Sequence, residues 1–478
     1  MRTEAALEPP GLPSRFFLLV GAAAIVASAT IPGAPPGINF TAAGALTIAA
    51  VWAARGGALR KSDHALAAPV PILLALFAVR SAPWLLALNL GCIGVLVSIA
   101  MARARTWVSV PMSAPRTLWT LPHGIAFVLR PVASKTAHDL KLAPVLRTFS
   151  MMALAVVVFG GLFASADPAF AALADDFLVP SLDLSMVSAR ALTAILIVAF
   201  AGSLTLRSFG PAPATASTVV EGHPGLGSAE WKATLVLIDL LFAGFVAVQL
   251  AVLFGDHDYV FRTTGLTYAE YARQGFLQLI ASAAITLAVI AIAVVAADSR
   301  SADRTWLRVL LGILCVLTLV ILGSASIRLN LYQEAYGFTR LRLLADLVII
   351  LLGGIFLMLI VAGTVWKGSW LPRSVVILGA AALIGFNIYN PDARIAEKNV
   401  ERFSRTGQID LSYLAGLSPD AVPELMGLPE PERSCVLVRL GEQLADPAAA
   451  WSWNIARVQA QKVLRESLQI GTDCPMVE

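Results

Sequence analysis

Apolar stretches of about twenty residues recur along this chain, the length a helix needs to cross a hydrocarbon core about 30 Å thick. Eleven such windows stand out, at about 16–32, 38–54, 65–80, 82–101, 148–165, 190–206, 232–254, 275–297, 306–327, 343–366 and 374–389. The first three are short or broken by Pro and small residues. Within a bilayer every backbone N–H and C=O must find its partner inside the protein, so such windows predict α-helices and argue against open sheets. Composition agrees: 58% of the 478 residues are hydrophobic and 14% charged, too few charges to cover a soluble globule of this size. The expected fold class is all-α, a polytopic transmembrane helix bundle of about eleven spans with a small extracytoplasmic α-helical C-terminal domain.

Basic residues are retained on the cytoplasmic side of a membrane. With the N-terminus cytoplasmic, 19 Lys and Arg fall in or beside cytoplasmic segments and 7 in or beside the opposite short loops; the reverse orientation inverts the ratio. An odd number of spans then places everything after Tyr389 outside, in a tail with 9 basic and 13 acidic residues. The expected location is the cytoplasmic membrane. The first apolar run, ending in Ala27-Ser28-Ala29, resembles a secretory signal, but Glu4 and Glu8 in its leading region argue for a retained span.

Three segments divide the chain, at 1–147, 148–389 and 390–478. Residues 102–147 carry seven basic residues against Asp139 alone, interleaved with Trp107, Trp119 and Phe127, a pattern that predicts interfacial helices on anionic lipid headgroups rather than nucleic-acid binding. The outer loop 166–188 holds four Asp and no basic residue, and 208–230 has linker composition. Asp239 and Gln249 fall within the seventh window; an ionisable residue inside a spanning helix marks either a functional site or a hydrogen bond to a neighbouring helix. Gly255-Asp256-His257-Asp258 is weak as a metal site, because three consecutive side chains cannot all point at one ion. Thr267 and Glu270 have the spacing of a capping box.

The junction Arg328–Arg342 has a different composition from the other short connections on its side. Its three Arg, one Glu, two Tyr, Asn and Gln lie between two apolar runs. The ninth helix is expected to continue to Tyr336, with Gly337 as its C-terminal cap residue and Thr339 capping the next helix, which makes a tight helical hairpin. Gly323, Ser326, Asn330, Glu334 and Gly337 fall at spacings of three or four and predict one polar stripe, with Arg328, Tyr332 and Tyr336 beside it. Arg342 and Asp346 are four apart and are expected to pair. Three readings stand side by side. The polar groups form a hydrogen-bonded plug holding two helices in register; or Arg328, Arg340 and Arg342, lined by Tyr332 and Tyr336, clamp an anionic headgroup or solute; or Glu334 acts as a general acid or base in a partly desolvated pocket. No nucleophile with a companion base, zinc-ligand pattern, phosphate loop or dinucleotide fingerprint is present, so no cofactor or metal is implied and enzymatic activity has little support.

Of the four cysteines, Cys92 and Cys315 lie in predicted spans, while Cys435 and Cys474 share the tail, where an oxidising compartment would allow a disulfide; two free thiols is the alternative. Asn390-Pro391 is expected to start a charged helix, with Asn as cap and Pro in the first position, that ends near Gly407. Further helices are expected at 411–415, 421–426, 434–444 and 448–467, with Trp451 and Trp453 as buried anchors or interfacial contacts.

Several motifs together resemble one family. Tyr332-Gln-Glu-Ala-Tyr-Gly-Phe-Thr-Arg-Leu-Arg342 is similar to the signature of the bacterial membrane proteins grouped as domain of unknown function 4153/4173. In order along the chain, Phe163-Ala-Ser-Ala-Asp-Pro168, Phe245-Val-Ala-Val-Gln249, Leu253-Phe-Gly255 and Leu266-Thr-Tyr-Ala-Glu-Tyr-Ala-Arg-Gln-Gly-Phe276 resemble it too. So do the tail motifs Asn390-Pro391-Asp392, Gly407–Tyr413, Ser418-Pro-Asp-Ala-Val-Pro423 and Trp453-Asn454 with Arg457. The resemblance extends from about Ser150 to the C-terminus, does not reach the first four spans, and gives no support to Asp239. It implies the architecture and no reaction. Two functions follow as expectations: binding or transport of an anionic amphiphile or solute at a pocket on the extracytoplasmic face, or a non-catalytic assembly or signalling partnership with another envelope protein through the tail.

Overall fold

The computed structural model describes residues 12–56, 61–129, 184–210, 228–254, 276–296, 301–365, 368–444 and 449–467, and the helices below are numbered among these. Among them no strand occurs. Seven helices are long and apolar enough to cross a membrane, and three shorter apolar helices, Ser14–Thr30, Ile38–Ala54 and Asp63–Val79, match the first three windows. The chain is thus an all-α membrane protein. The 148–165 window, the acidic loop, most of the 208–230 linker, the Asp256–Asp258 triplet and the Thr267–Glu270 box lie outside the described residues.

The chain forms two compact units. The first comprises Met1–Thr215, Ser418–Asp420 and Val438–Gly471. Its helices are α1 (Ser14–Thr30), α2 (Ile38–Ala54), α3 (Lys61–Ala67), α4 (Pro69–Val79), α5 (Pro83–Ala102), α6 (Ser113–Trp119) and α7 (Leu184–Phe209). Prolines sit in the first turns of α4 and α5, where a missing N–H costs nothing. α2 packs on α1, α4 and α7. Gly202 of α7 and Gly124 approach so closely that a Cβ on either would run into the other's backbone. Beside them Ser203 Oγ donates to the Thr117 carbonyl at 2.8 Å.

The second unit comprises Ala216–Leu417, Ala421–Leu437 and Thr472–Glu478. It holds α8 (Ser228–Phe254), α9 (Phe276–Ala296), α10 (Ser301–Tyr336), α11 (Arg340–Val365), α12 (Leu371–Tyr389), α13 (Pro391–Thr406), α14 (Leu411–Ala415) and α15 (Val422–Leu425). α10 is its axis, with α8, α9 and α11 all packed against it. Its 36 residues extend over about 54 Å at 1.5 Å per residue, well beyond a hydrocarbon core. The excess places the polar Arg328–Tyr336 turns past the apolar run, as the sequence predicts. Leu314, Cys315, Leu322, Ala325 and Leu329 of α10 form the centre of a buried cluster with Phe276, Ala283 and Phe356.

The tail, expected as one small domain, is divided between these units. Its later helices are α16 (Glu432–Leu444) and α17 (Ile455–Ser467). Within the first unit, Asn454 Nδ2 donates to the carbonyls of Phe77 at 2.9 Å and Arg80 at 2.8 Å, which lie at the end of α4. Asp420 Oδ2 accepts from the Ser81 N–H at 2.8 Å and from the Ser81 and Ser418 hydroxyls. Trp451 and Trp453 are half exposed rather than buried anchors.

Candidate functional site: the α10–α11 hairpin and its clasp

A helix ends with four carbonyls that lack intrahelical donors. α10 stops at Tyr336 because Gly337 turns left-handed, at φ +86°, and its N–H closes the last turn on the Gln333 carbonyl at 2.8 Å. The orphan carbonyls then attract cations, since the C-terminal end of a helix carries partial negative charge. Arg402 Nη2, from α13, donates to Ala335 O at 2.8 Å. Arg342, from the start of α11, donates to the carbonyls of Tyr336 and Gly337. Asn399 of α13 pairs with Phe338 in both directions: its Oδ1 accepts from the Phe338 N–H at 3.1 Å and its Nδ2 donates to the Phe338 carbonyl at 2.9 Å. A Cβ on Gly337 would stand 2.6 Å from that Asn399 Oδ1, so glycine is required there by space as well as by conformation.

Arg340 completes the clasp. Its Nε and Nη2 make a two-pronged contact with Asp392, at 3.0 and 2.6 Å. The Asp392 side chain has no solvent exposure, while that of Arg340 is 31% exposed. The planar fork matches the carboxylate geometry, which makes this the strongest class of ion pair. The Arg340 N–H donates to the Tyr413 hydroxyl at 2.8 Å, and Nη2 also reaches the Gly416 carbonyl at 3.2 Å. Asp410 orders that neighbourhood by capping α14, accepting from the Ser412 hydroxyl and the Tyr413 N–H. These two bonds, the hydroxyl's first, hold its carboxyl below the usual carboxylate range. Burial is the leading cause that pushes the Tyr413 phenol up.

Arg342 is not the partner of Asp346. Its guanidinium stacks 4.1 Å over the Tyr332 ring, and Tyr332 in turn meets Tyr336 and Phe276. Asp346 instead accepts from Gln333 Nε2 at 2.6 Å. The physical reason is competition: the helix-end carbonyls and an aromatic face lie within Arg342's reach and are complementary to a cation. Arg328 is held further down, where Gln249 Oε1 of α8 accepts from its Nη2 at 2.6 Å and from the Ser324 hydroxyl at 3.0 Å. Each of the three arginines thus has partners within the protein. Of the expected polar stripe, Gly323, Asn330 and Glu334 are exposed, Ser326 is half-buried and Gly337 is buried. Ser324, Gln333 and Gln249 are buried polar positions beside it.

Asn390 also departs from expectation. It adopts a left-handed φ of 56° and terminates α12, and its side chain makes no capping bond to α13. Gly407 ends α13 as expected, at φ +67°. Asp392, Asn399, Arg402 and Tyr413 are site residues that the sequence reading did not select. The signal was present on α13, where Asp392, Ile395, Asn399 and Arg402 recur at steps of three and four and so share a face. Cys92 and Cys315 are free thiols, whereas the expected Cys435–Cys474 pairing rests on Cys474, outside the described residues. Among the described residues no cluster of His, Cys, Asp or Glu is arranged to hold a metal ion.

Sequence comparison bears on these helices directly. The profile described as Domain of unknown function (DUF4153) matches residues 67–428. The chain belongs to this family. The DUF4153 match takes in α4 to α15, including the whole hairpin, Asp392, Tyr413 and Asp420. It begins earlier than the resemblance near Ser150 and ends before Trp453-Asn454. No curated protein and no solved structure matches the chain significantly. Membership therefore brings no reaction.

Proposed function

We propose that this protein is a non-catalytic membrane scaffold that holds its C-terminal segment at the extracytoplasmic face of a bacterial cytoplasmic membrane, as a docking surface for a second envelope protein. The observation that carries this reading is the fate of the hairpin's polar groups. Arg340, Arg342, the helix-end carbonyls and Phe338 are all bonded within the protein, and the α13 partners hold that helix in one orientation. A hairpin built to capture an anion would leave its guanidinium groups converging on a shared space. This one turns them toward carbonyls, a carboxylate and a ring. The other face of α13 presents Arg394, Glu401 and Arg405 to solvent. The asymmetry of basic residues supports the outer location.

The test is photo-crosslinking in cells from positions 401 and 405. A discrete adduct with one envelope protein, lost in Arg340→Gln at unchanged abundance, is the expected result. Absence of any adduct from both positions would refute the scaffold.

A second reading, binding of a membrane amphiphile, is favoured by a different observation. The first unit contains an almost wholly apolar cavity of about 300 Å³, lined by Ile48, Trp52, Leu66, Val70, Leu96 and Met101 among others. Such a lining suits an acyl chain rather than a charged solute. Lipid retained through purification and displaced by Val70→Trp, detected by native mass spectrometry, is what that reading requires.

A further inference from the structure

α8 carries an acidic residue where an apolar helix tolerates one least. Its apolar run spans about 232–254, in a helix that extends from Ser228 to Phe254, and Asp239 lies within that run. Seven residues separate it from the start of the run and fifteen from its end, about 10 and 22 Å along the axis, which sets Asp239 inside a hydrocarbon core about 30 Å thick. The residue is 8% exposed, and both carboxylate oxygens are buried without a hydrogen-bond partner among the described residues.

The groups that would neutralise a carboxylate are elsewhere. α10 packs against α8, and the titratable side chain it brings near Asp239 is the buried thiol of Cys315. The other charged residues of α10 are Asp303, Arg304 and Arg308 near its start and Arg328 and Glu334 near its end. Of these, Arg308 lies seven residues before Cys315 and Arg328 thirteen after it, about 10 and 20 Å along the axis. Arg328 is bonded to Gln249. On α8 itself Glu230 and Lys232 lie in the first turns, α9 has no ionisable residue, and Arg340, Arg342 and Asp346 of α11 belong to the hairpin end. Around Asp239 the interface is built from Leu235, Ile238 and Phe242.

Among the described residues an ionised carboxylate in that setting has no counter-ion and no donor. A carboxylic acid carries no charge to be balanced, so the same burial costs it far less. We propose that Asp239 is an intramembrane proton-binding site, carrying its proton at neutral pH at the centre of the α8–α10 interface. This does not depend on the scaffold reading, because the site lies within the bundle and the proposed docking face lies on α13.

The experiment uses the full-length protein in lipid nanodiscs treated with N,N′-dicyclohexylcarbodiimide, an apolar reagent that adds to protonated carboxyl groups shielded from water. Mass spectrometry of the digested protein is expected to place an adduct on Asp239 at neutral pH. Its yield should fall as pH rises, a water-soluble carbodiimide should give none there, and Asp239→Asn should lose it. The adduct is located in the wild-type protein, so the result does not depend on the variant folding. No adduct on Asp239 at any pH between about 5 and 8 would overturn the assignment.

Discussion

Replacing Asp392 by Asn keeps its volume and removes its charge, which isolates what the clasp contributes. The carboxylate is fully buried and both its oxygens bond to Arg340. Breaking a buried pair by removing one partner costs about 3–5 kcal/mol. Here the surviving charge is not sealed in, because the Arg340 side chain is 31% exposed and keeps the Gly416 carbonyl. Solvent screening therefore lowers the cost to about 2–3 kcal/mol. That corresponds to a roughly 30- to 150-fold shift in the equilibrium for opening α13 from the hairpin. Hydrogen exchange on the full-length protein in nanodiscs reads this directly: amides of Ile395–Phe403 should lose protection by that factor while the amides of α9 keep theirs. Arg340→Gln should reproduce the pattern, and the double variant should be little worse than either single one. Unchanged exchange in α13, or an equal loss in α9, would refute the claim that this pair holds the helix.

Gly337→Ala should destabilise the hairpin by about 2 kcal/mol, combining left-handed strain with the approach to Asn399. Gly407→Ala, equally left-handed but with open space around it, should cost only the strain, about 1 kcal/mol; thermal unfolding followed by fluorescence separates the two. For Arg342 and Asp346, a double-mutant cycle with Ala should give a coupling below about 0.5 kcal/mol, since their partners differ. Coupling above 1 kcal/mol, on the order of a paired interaction, would contradict the geometry. Asp410 titrates lower in the folded protein than in the unfolded chain, so its stabilising effect is complete above about pH 4 and is lost as pH falls through the folded-state value. Asp410→Asn should accordingly speed exchange of the Tyr413 amide at neutral pH, and the difference should vanish in acid; a difference that persists at low pH would show that the charge is not the cause.

Some features of this chain follow from local rules and are legible along the sequence. Apolar runs of bilayer length specify α-helices, because hydrocarbon offers the backbone no other partner, and they reappear as helices wherever the described residues cover them. Gly337 and Gly407 mark helix ends because their backbone conformation is a local property. The stacking of hairpin residues into a helical turn followed from spacing alone. Side-chain partners were not legible in this way. Arg342 and Asp346 have the spacing of an ion pair, yet one caps carbonyls and the other takes an amide, because a polar group chooses among everything that packing brings within about 3 Å. Asp392, Asn399 and Arg402 lie on what the sequence marks only as a charged helix. Their role appears only when α13 is laid against the end of α10, and no periodicity within α13 specifies that partner. Sequence thus determined that this is a helical membrane protein with a polar hairpin, through hydrophobicity and backbone geometry that act within a few residues. Tertiary structure alone decided that the hairpin is closed by the tail, because ion pairs and helix caps are satisfied across 52 to 73 residues of chain by whichever groups folding brings together.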